Sequence, residues 1–135
     1  MSTEKNKAIM RRWLEEMSKG NLFVLDEVVA PDYTRHAAAT ETQGREGYRQ
    51  LLKTFDAGFS DIQIDISEMI TEGDKVAVHY TTRLRHVGEF MGIAPTGRQV
   101  KVTSTAIVRF ADDKAVESWA NLDMFSLMQQ LGAAS

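Results

Sequence analysis

The sequence has no cysteine. That removes disulfides, thiolate nucleophiles and cysteine-bound zinc together. Prolines number two and glycines nine among 135 residues, which argues against a low-complexity chain. No apolar run approaches the roughly 20 residues of a membrane helix. The opening, MSTEKNKAIMRRW, lacks the uninterrupted apolar stretch of a secretion signal. An excess of positive charge is missing as well. The net charge is −3, so nonspecific nucleic-acid binding gets no electrostatic support. The basic residues Lys5, Lys7, Arg11 and Arg12 are offset by Glu4, Glu15 and Glu16 and read as a solvated helix face. The three histidines, His36, His79 and His86, have no H-x-x-x-H spacing, so no metal site is expected. What remains is one soluble domain over residues 1–135, expected in the cytoplasm, with neither membrane nor nucleic acid as a partner.

What is present is a core and two periodicities. Hydrophobic residues make up 43%, enough to bury an interior. Ile9, Trp13 and Met17 recur at helical spacing, which predicts a helix over 3–19 closed by Gly20. Asn21 starts a short second helix with the stripe Leu22, Leu25, Val28 and Val29, which Pro31 of APDY breaks. A third helix runs over 45–58, burying Tyr48, Leu51, Leu52, Phe55 and Phe59. The period then changes. DIQIDI alternates strictly, and VAVHYTTRLRH, Val100–Phe110 and Ala115–Leu122 follow as further strands. A short helix, DMFSLMQQLG, ends the chain. Helices first and an antiparallel meander after them indicate an α+β fold. Such a sheet must curl around its helices, and the space inside need not be filled.

Alternation assigns the faces. On the third of these strands Val102, Ser104, Ala106 and Val108 point inward, and Lys101, Thr103, Thr105, Ile107 and Arg109 outward. Small residues at Ser104 and Ala106 leave volume, either as a pocket or as room for a large neighbour such as Trp13 or Phe55. On the last strand Trp119, Asn121 and Asp123 share a side, taken as the inner one. Asp123 has two readings: N-cap of the last helix, or a general base whose pKa apolar neighbours raise. His36 is either a loop residue or a pocket residue, and His79 lies outside. His86, at a strand end, is the best-placed histidine. It borders Arg85–Val100, a connection far longer than the roughly two to five residues a hairpin needs.

That connection carries a resemblance. RHVGEFMGIAPTGR is similar to the H-x-G-x-x-x-G-x-x-P-T-G signature of SnoaL-like polyketide cyclases. ESWANLDMFSLMQQLG resembles the same family's E-x-W-x-x-x-D-x-x-x-x-x-x-Q-L-G tail. The resemblance implies the superfold of nuclear transport factor two and ketosteroid isomerase. That is a cone-shaped, strongly curved antiparallel sheet wrapped around three N-terminal helices, with a short C-terminal helix. It implies a cofactor-independent intramolecular aldol condensation of a small apolar, carbonyl-rich substrate, with Asp123 as the acid/base residue. The long loop becomes a lid whose Phe90, Met91 and Ile93 line the cavity mouth. His86, Asn121 or Ser104 would donate to the enolate oxygen. The pocket is expected to comprise Trp13, His36, Phe55, Phe59, Trp119 and Asn121 together with the lid residues and Ser104. A homodimer through the outer sheet face is expected. Two positions depart from the pattern: Ala106 stands where polyketide-specific members carry an inner histidine, and Arg35, His36 and Ala37 occupy the region of a ketosteroid-isomerase-like base. A noncatalytic module for a small hydrophobic ligand is the alternative.

Overall fold

The computed structural model of the chain describes residues 3–38 and 40–132. Helix α1 (Thr3–Ser18) leads into a 3-10 turn (Leu22–Val24), α2 (Leu25–Val28), strand β1 (Val29–His36) and the two-residue β2 (Thr42–Gln43). Helix α3 (Gly44–Gly58) follows, then β3 (Phe59–Glu72), β4 (Lys75–His86), β5 (Gln99–Ala111), β6 (Lys114–Leu122) and α4 (Met124–Gln130). The sheet order is β2-β1-β6-β5-β4-β3. The fold is α+β, a curved open sheet with the N-terminal helices on its concave side.

One strand departs from the sequence reading. The APDY segment is not a break but part of β1, which pairs parallel with β6. The sheet is therefore mixed, antiparallel in all its other pairings. Pro31 hid this strand, since proline cannot donate to a ladder. It is tolerated because the β1–β6 register is interrupted between Val29 and Thr34.

The curl has a local cause. Strand β3 carries register shifts at Ser60/Gln63 and Ile66/Glu68, and such bulges bend and twist a strand. Ile62, Ile64 and Ile66 are half-buried on the inner face, and Met69 takes over after the second shift. Against this face pack Met10, Trp13 and Leu14 of α1 and Tyr48 of α3. Trp13, Tyr33 and Tyr48 meet edge to face, with ring centroids 5.3–6.1 Å apart. Such contacts add roughly 0.5–1.5 kcal/mol each beyond area burial. A second cluster, with Phe59, Phe90, Val100 and Leu131, closes the other end.

That second end depends on Gly88. A Cβ there would sit 2.2 Å from the carbonyl oxygen of Ala57, which is backbone and cannot swing away. Its own N–H donates to Gly58 O at 3.1 Å. Gly88→Ala is therefore expected to destabilise the protein by about 2 kcal/mol or more. Urea unfolding checks this; a midpoint equal to that of the unmodified protein contradicts the packing described.

Candidate active site

The middle of the concave face holds small side chains: Ser104 and Ala106 on β5, with Ala120 of β6 opposite Ala106. Ala106 packs against the cluster that holds Met10, Trp13 and Tyr48, but the small side chains leave space unfilled. The gap is a cavity of about 130 Å³, walled by Trp13, Leu51, Phe55, Ile64, Val78 and Val102 among others. A cavity admits a water once such volume exceeds ~10–15 Å³, so this one has room for a small ligand.

The wall is apolar with a few polar groups: Tyr33, Arg35, Tyr48, Asp56, Tyr80, Thr82 and Ser104. Burial pushes the Tyr33 phenol up to about 12, the Tyr48 phenol well above its ordinary value and the Tyr80 phenol upward too. All three stay neutral at physiological pH, and the Tyr48 hydroxyl donates to Met17 Sδ at 3.6 Å. Asp56 is the carboxylate of the wall, and burial raises its pKa as well. Tyr33 is tied to Ser118 by a short hydroxyl–hydroxyl bond. In the same wall Ser104 Oγ neighbours the Tyr80 hydroxyl and Trp13 Nε1 the Tyr48 hydroxyl, with no hydrogen bond of ordinary geometry to either atom among the described residues. These polar atoms border the space a ligand would occupy. No group of three or more His, Asp or Glu side chains is arranged to hold a metal among the described residues.

Of the residues singled out from sequence, Trp13, Phe55 and Ser104 line this cavity. The others lie elsewhere. Trp119 and Asn121 face outward, because Ala120 and Leu122 take the inner side of β6. Trp119 is 38% exposed and stacks on His36, with ring centroids 5.6 Å apart at 28°. His36 Nε2 lies 2.7 Å from Glu117 Oε2 and Nδ1 3.2 Å from Glu41 Oε1. Glu117, then Glu41, raise the His36 pKa. His36, Trp119 and Asn121 thus form a separate open crevice on the outer side. Phe59 and Phe90 sit behind Phe55, with Phe55–Phe90 centroids 5.1 Å apart. Met91 is 61% exposed, and Ile93 packs on the second core cluster.

His86 is fully buried and does not border the cavity. Its Nδ1 accepts the Thr96 N–H at 3.1 Å and lies 3.0 Å from Thr96 Oγ1. It holds the loop rather than a substrate. Asp123 is exposed, and its carboxylate accepts the Ser126 N–H at 3.1 Å as the N-cap of α4. Its side chain is outside the cavity wall, although Leu122 beside it and Leu127 one turn into α4 both belong to that wall. Sequence reasoning missed Arg35, Asp56 and Tyr80. Asp56 follows directly on Phe55 in the α3 stripe, which was the available signal.

A family model for the SnoaL-like polyketide cyclases matches residues 7–131. The chain belongs to that family. Among solved structures, AclR from Streptomyces galilaeus, a candidate hydroxylase, is 28% identical with a TM-score of 0.91, covering 99% of this chain and 100% of its own. TsrD from Streptomyces laurentii is 27% identical, TM-score 0.89, covering 98% of each chain. IdmH from Streptomyces antibioticus, a candidate polyketide cyclase, is 30% identical, TM-score 0.81, covering 94% of this chain and 98% of its own. No curated protein matches the chain.

In this SnoaL-like chain the two signature stretches mostly build scaffold. His86 and Thr96 lock the base of the loop. Phe90 and Ile93 exchange backbone bonds of 3.0 and 2.9 Å. Met91 (φ 49°) and Gly92 (φ 81°) form the tight turn between them. Gln130 of the tail bonds both backbone groups of Lys101, at 2.9 and 2.8 Å, pinning α4 to β5.

Proposed function

We propose that this protein is a cofactor-independent cyclase acting on a small, apolar, carbonyl-rich substrate held in the cavity under α1 and α3. The reaction is an intramolecular aldol-type ring closure. A carboxylate removes a proton next to a carbonyl, the enolate carbon attacks a second carbonyl of the same molecule, and the alkoxide so formed takes the proton back from the carboxylic acid. The observation that carries this reading is the apolar cavity with neutral phenols and the Ser104 hydroxyl in its wall. Such a site orients the substrate and excludes water. Donors already in place, Ser104 Oγ and Tyr80 among them, stabilise the enolate oxygen as it forms.

Asp123 is our proposed base, because it matches the tail aspartate of the family motif. Leaving its cap costs about 1 kcal/mol, small beside the 10²–10⁴-fold, in order of magnitude, that a general base contributes. A second reading places the base at Asp56, favoured by its position in the cavity wall and its raised pKa.

We also propose that the outer sheet face joins a second copy in a two-fold dimer. It exposes Ile107 (43%) and Trp119 (38%) beside Thr103 and Thr105. Sedimentation at micromolar concentration is expected to give twice the 15.1 kDa chain mass; a lone-chain mass overturns the dimer.

The catalytic assignment separates on two variants assayed against aryl β-keto esters. Asp123→Asn is expected to keep its cap and lose less than about 1 kcal/mol of stability. Its turnover is expected to fall by something on the order of 10²–10⁴-fold. Asp56→Asn is expected to retain most activity. The opposite pattern transfers the base to Asp56, and full activity in both variants removes carboxylate base catalysis.

A further inference from the structure

The cavity wall contains one cation, Arg35. It projects from β1, next to the buried Tyr33–Ser118 pair and across the sheet from Ser118. Its Nη1 donates to Thr40 O at 3.0 Å and Thr40 Oγ1 at 2.8 Å, which anchors one side of the guanidinium. Among the described residues no carboxylate forms an ion pair within 4 Å with Arg35, Arg11 or Arg98, but Arg11 and Arg98 are exposed, whereas Arg12, Arg45, Arg49, Arg83, Arg85 and Arg109 are all paired. Neutral hydrogen-bond acceptors alone thus hold a half-buried charge beside an apolar space.

Two further observations say where that charge is felt. Arg35 pulls down the phenols of Tyr33, Tyr48 and Tyr80, against the larger effect of burial. Asp56 is shifted by burial alone, so the cavity's carboxylate does not neutralise its arginine. A partly desolvated cation without a counter-charge is unfavourable, and a ligand bearing an anionic oxygen relieves it. Guanidinium is suited to that partner because its planar fork matches a carboxylate or enolate oxygen.

We propose that Arg35 is the anion-recognition point of this cavity, and that the ligand is an apolar body carrying one anionic oxygen, either a carboxylate or an enolate. The proposal deepens the cyclase reading and rests on the same cavity, but binding tests it without turnover. The probes are 2-naphthoate, its neutral methyl ester, and benzoylacetone, whose enolate has its own ultraviolet band. Calorimetry on the wild-type protein is expected to show the carboxylate binding about tenfold or more tighter than the ester. Arg35→Met is expected to erase that preference while leaving ester affinity unchanged, and Arg35→Lys to keep part of it. Ionisation of bound benzoylacetone to its enolate at lower pH than in water, lost in Arg35→Met, assigns the oxygen to an enolate. A carboxylate preference without that shift assigns it to a carboxylate. Equal affinity of acid and ester together with an unshifted diketone overturns the proposal, and so does a preference that survives in Arg35→Met. The wild-type comparison decides on its own if Arg35→Met does not fold. Naphthoate selectivity without turnover of any β-keto ester would sink the cyclase reading and leave this one standing.

Discussion

Three small side chains set the architecture of the site. Ser104, Ala106 and Ala120 occupy the centre of the concave face, where the sheet is most enclosed and a larger residue would fill the interior. Protein interiors otherwise pack to near-crystalline density. Here Trp13, Tyr33 and Tyr48 pack edge to face on one side and Phe55, Phe59 and Phe90 on the other. Each aromatic cluster supports itself, so neither collapses into the space between them. The cavity is the gap between two satisfied cores, and a polar group on its wall meets whatever ligand enters.

The family signature does a different job from the one its sequence suggests. Histidine, glycines and the Pro-Thr-Gly turn invite a catalytic or lid reading. In the structure they fasten a cover: His86 to Thr96, Gly88 against Ala57, Gln130 to Lys101. Phe90, inside that cover, completes the core behind Phe55. The loop therefore contributes to the cavity indirectly, by fixing the aromatic layer that forms one wall.

Much of the fold is legible in the sequence because its periodicities are clean. The helix over 3–19 appears as Thr3–Ser18, the alternation in DIQIDI lies in β3, and the inner face of β5 is the one its pattern indicates. Failure begins at β1. A strand containing Pro31 and interrupted in register has no period to read, and its parallel pairing with β6 joins residues far apart in sequence. Missing β1 had a consequence on the adjacent strand, β6. Without His36 as an outer neighbour, Trp119 looked like a core residue, and the inner and outer faces of β6 were exchanged. Asn121 followed Trp119 to the wrong side, while Asp123, just beyond the strand, caps α4. Arg35 was lost for the same reason: its inward parity exists only once β1 is a strand. Asp56 was hidden differently, as a polar residue at the margin of an amphipathic helix.

In the proposed function, ligand binds between α1, α3 and the concave sheet, not in the open crevice at His36 and Trp119. Methyl-labelled protein titrated with an aryl β-keto ester tests this directly by chemical-shift mapping. Shifts are expected at Val78, Val102, Leu51 and Leu122, whose side chains line the cavity. Shifts gathered instead at Ile107, Ala37 and Ala38, with the cavity methyls unmoved at saturating ligand, would contradict it.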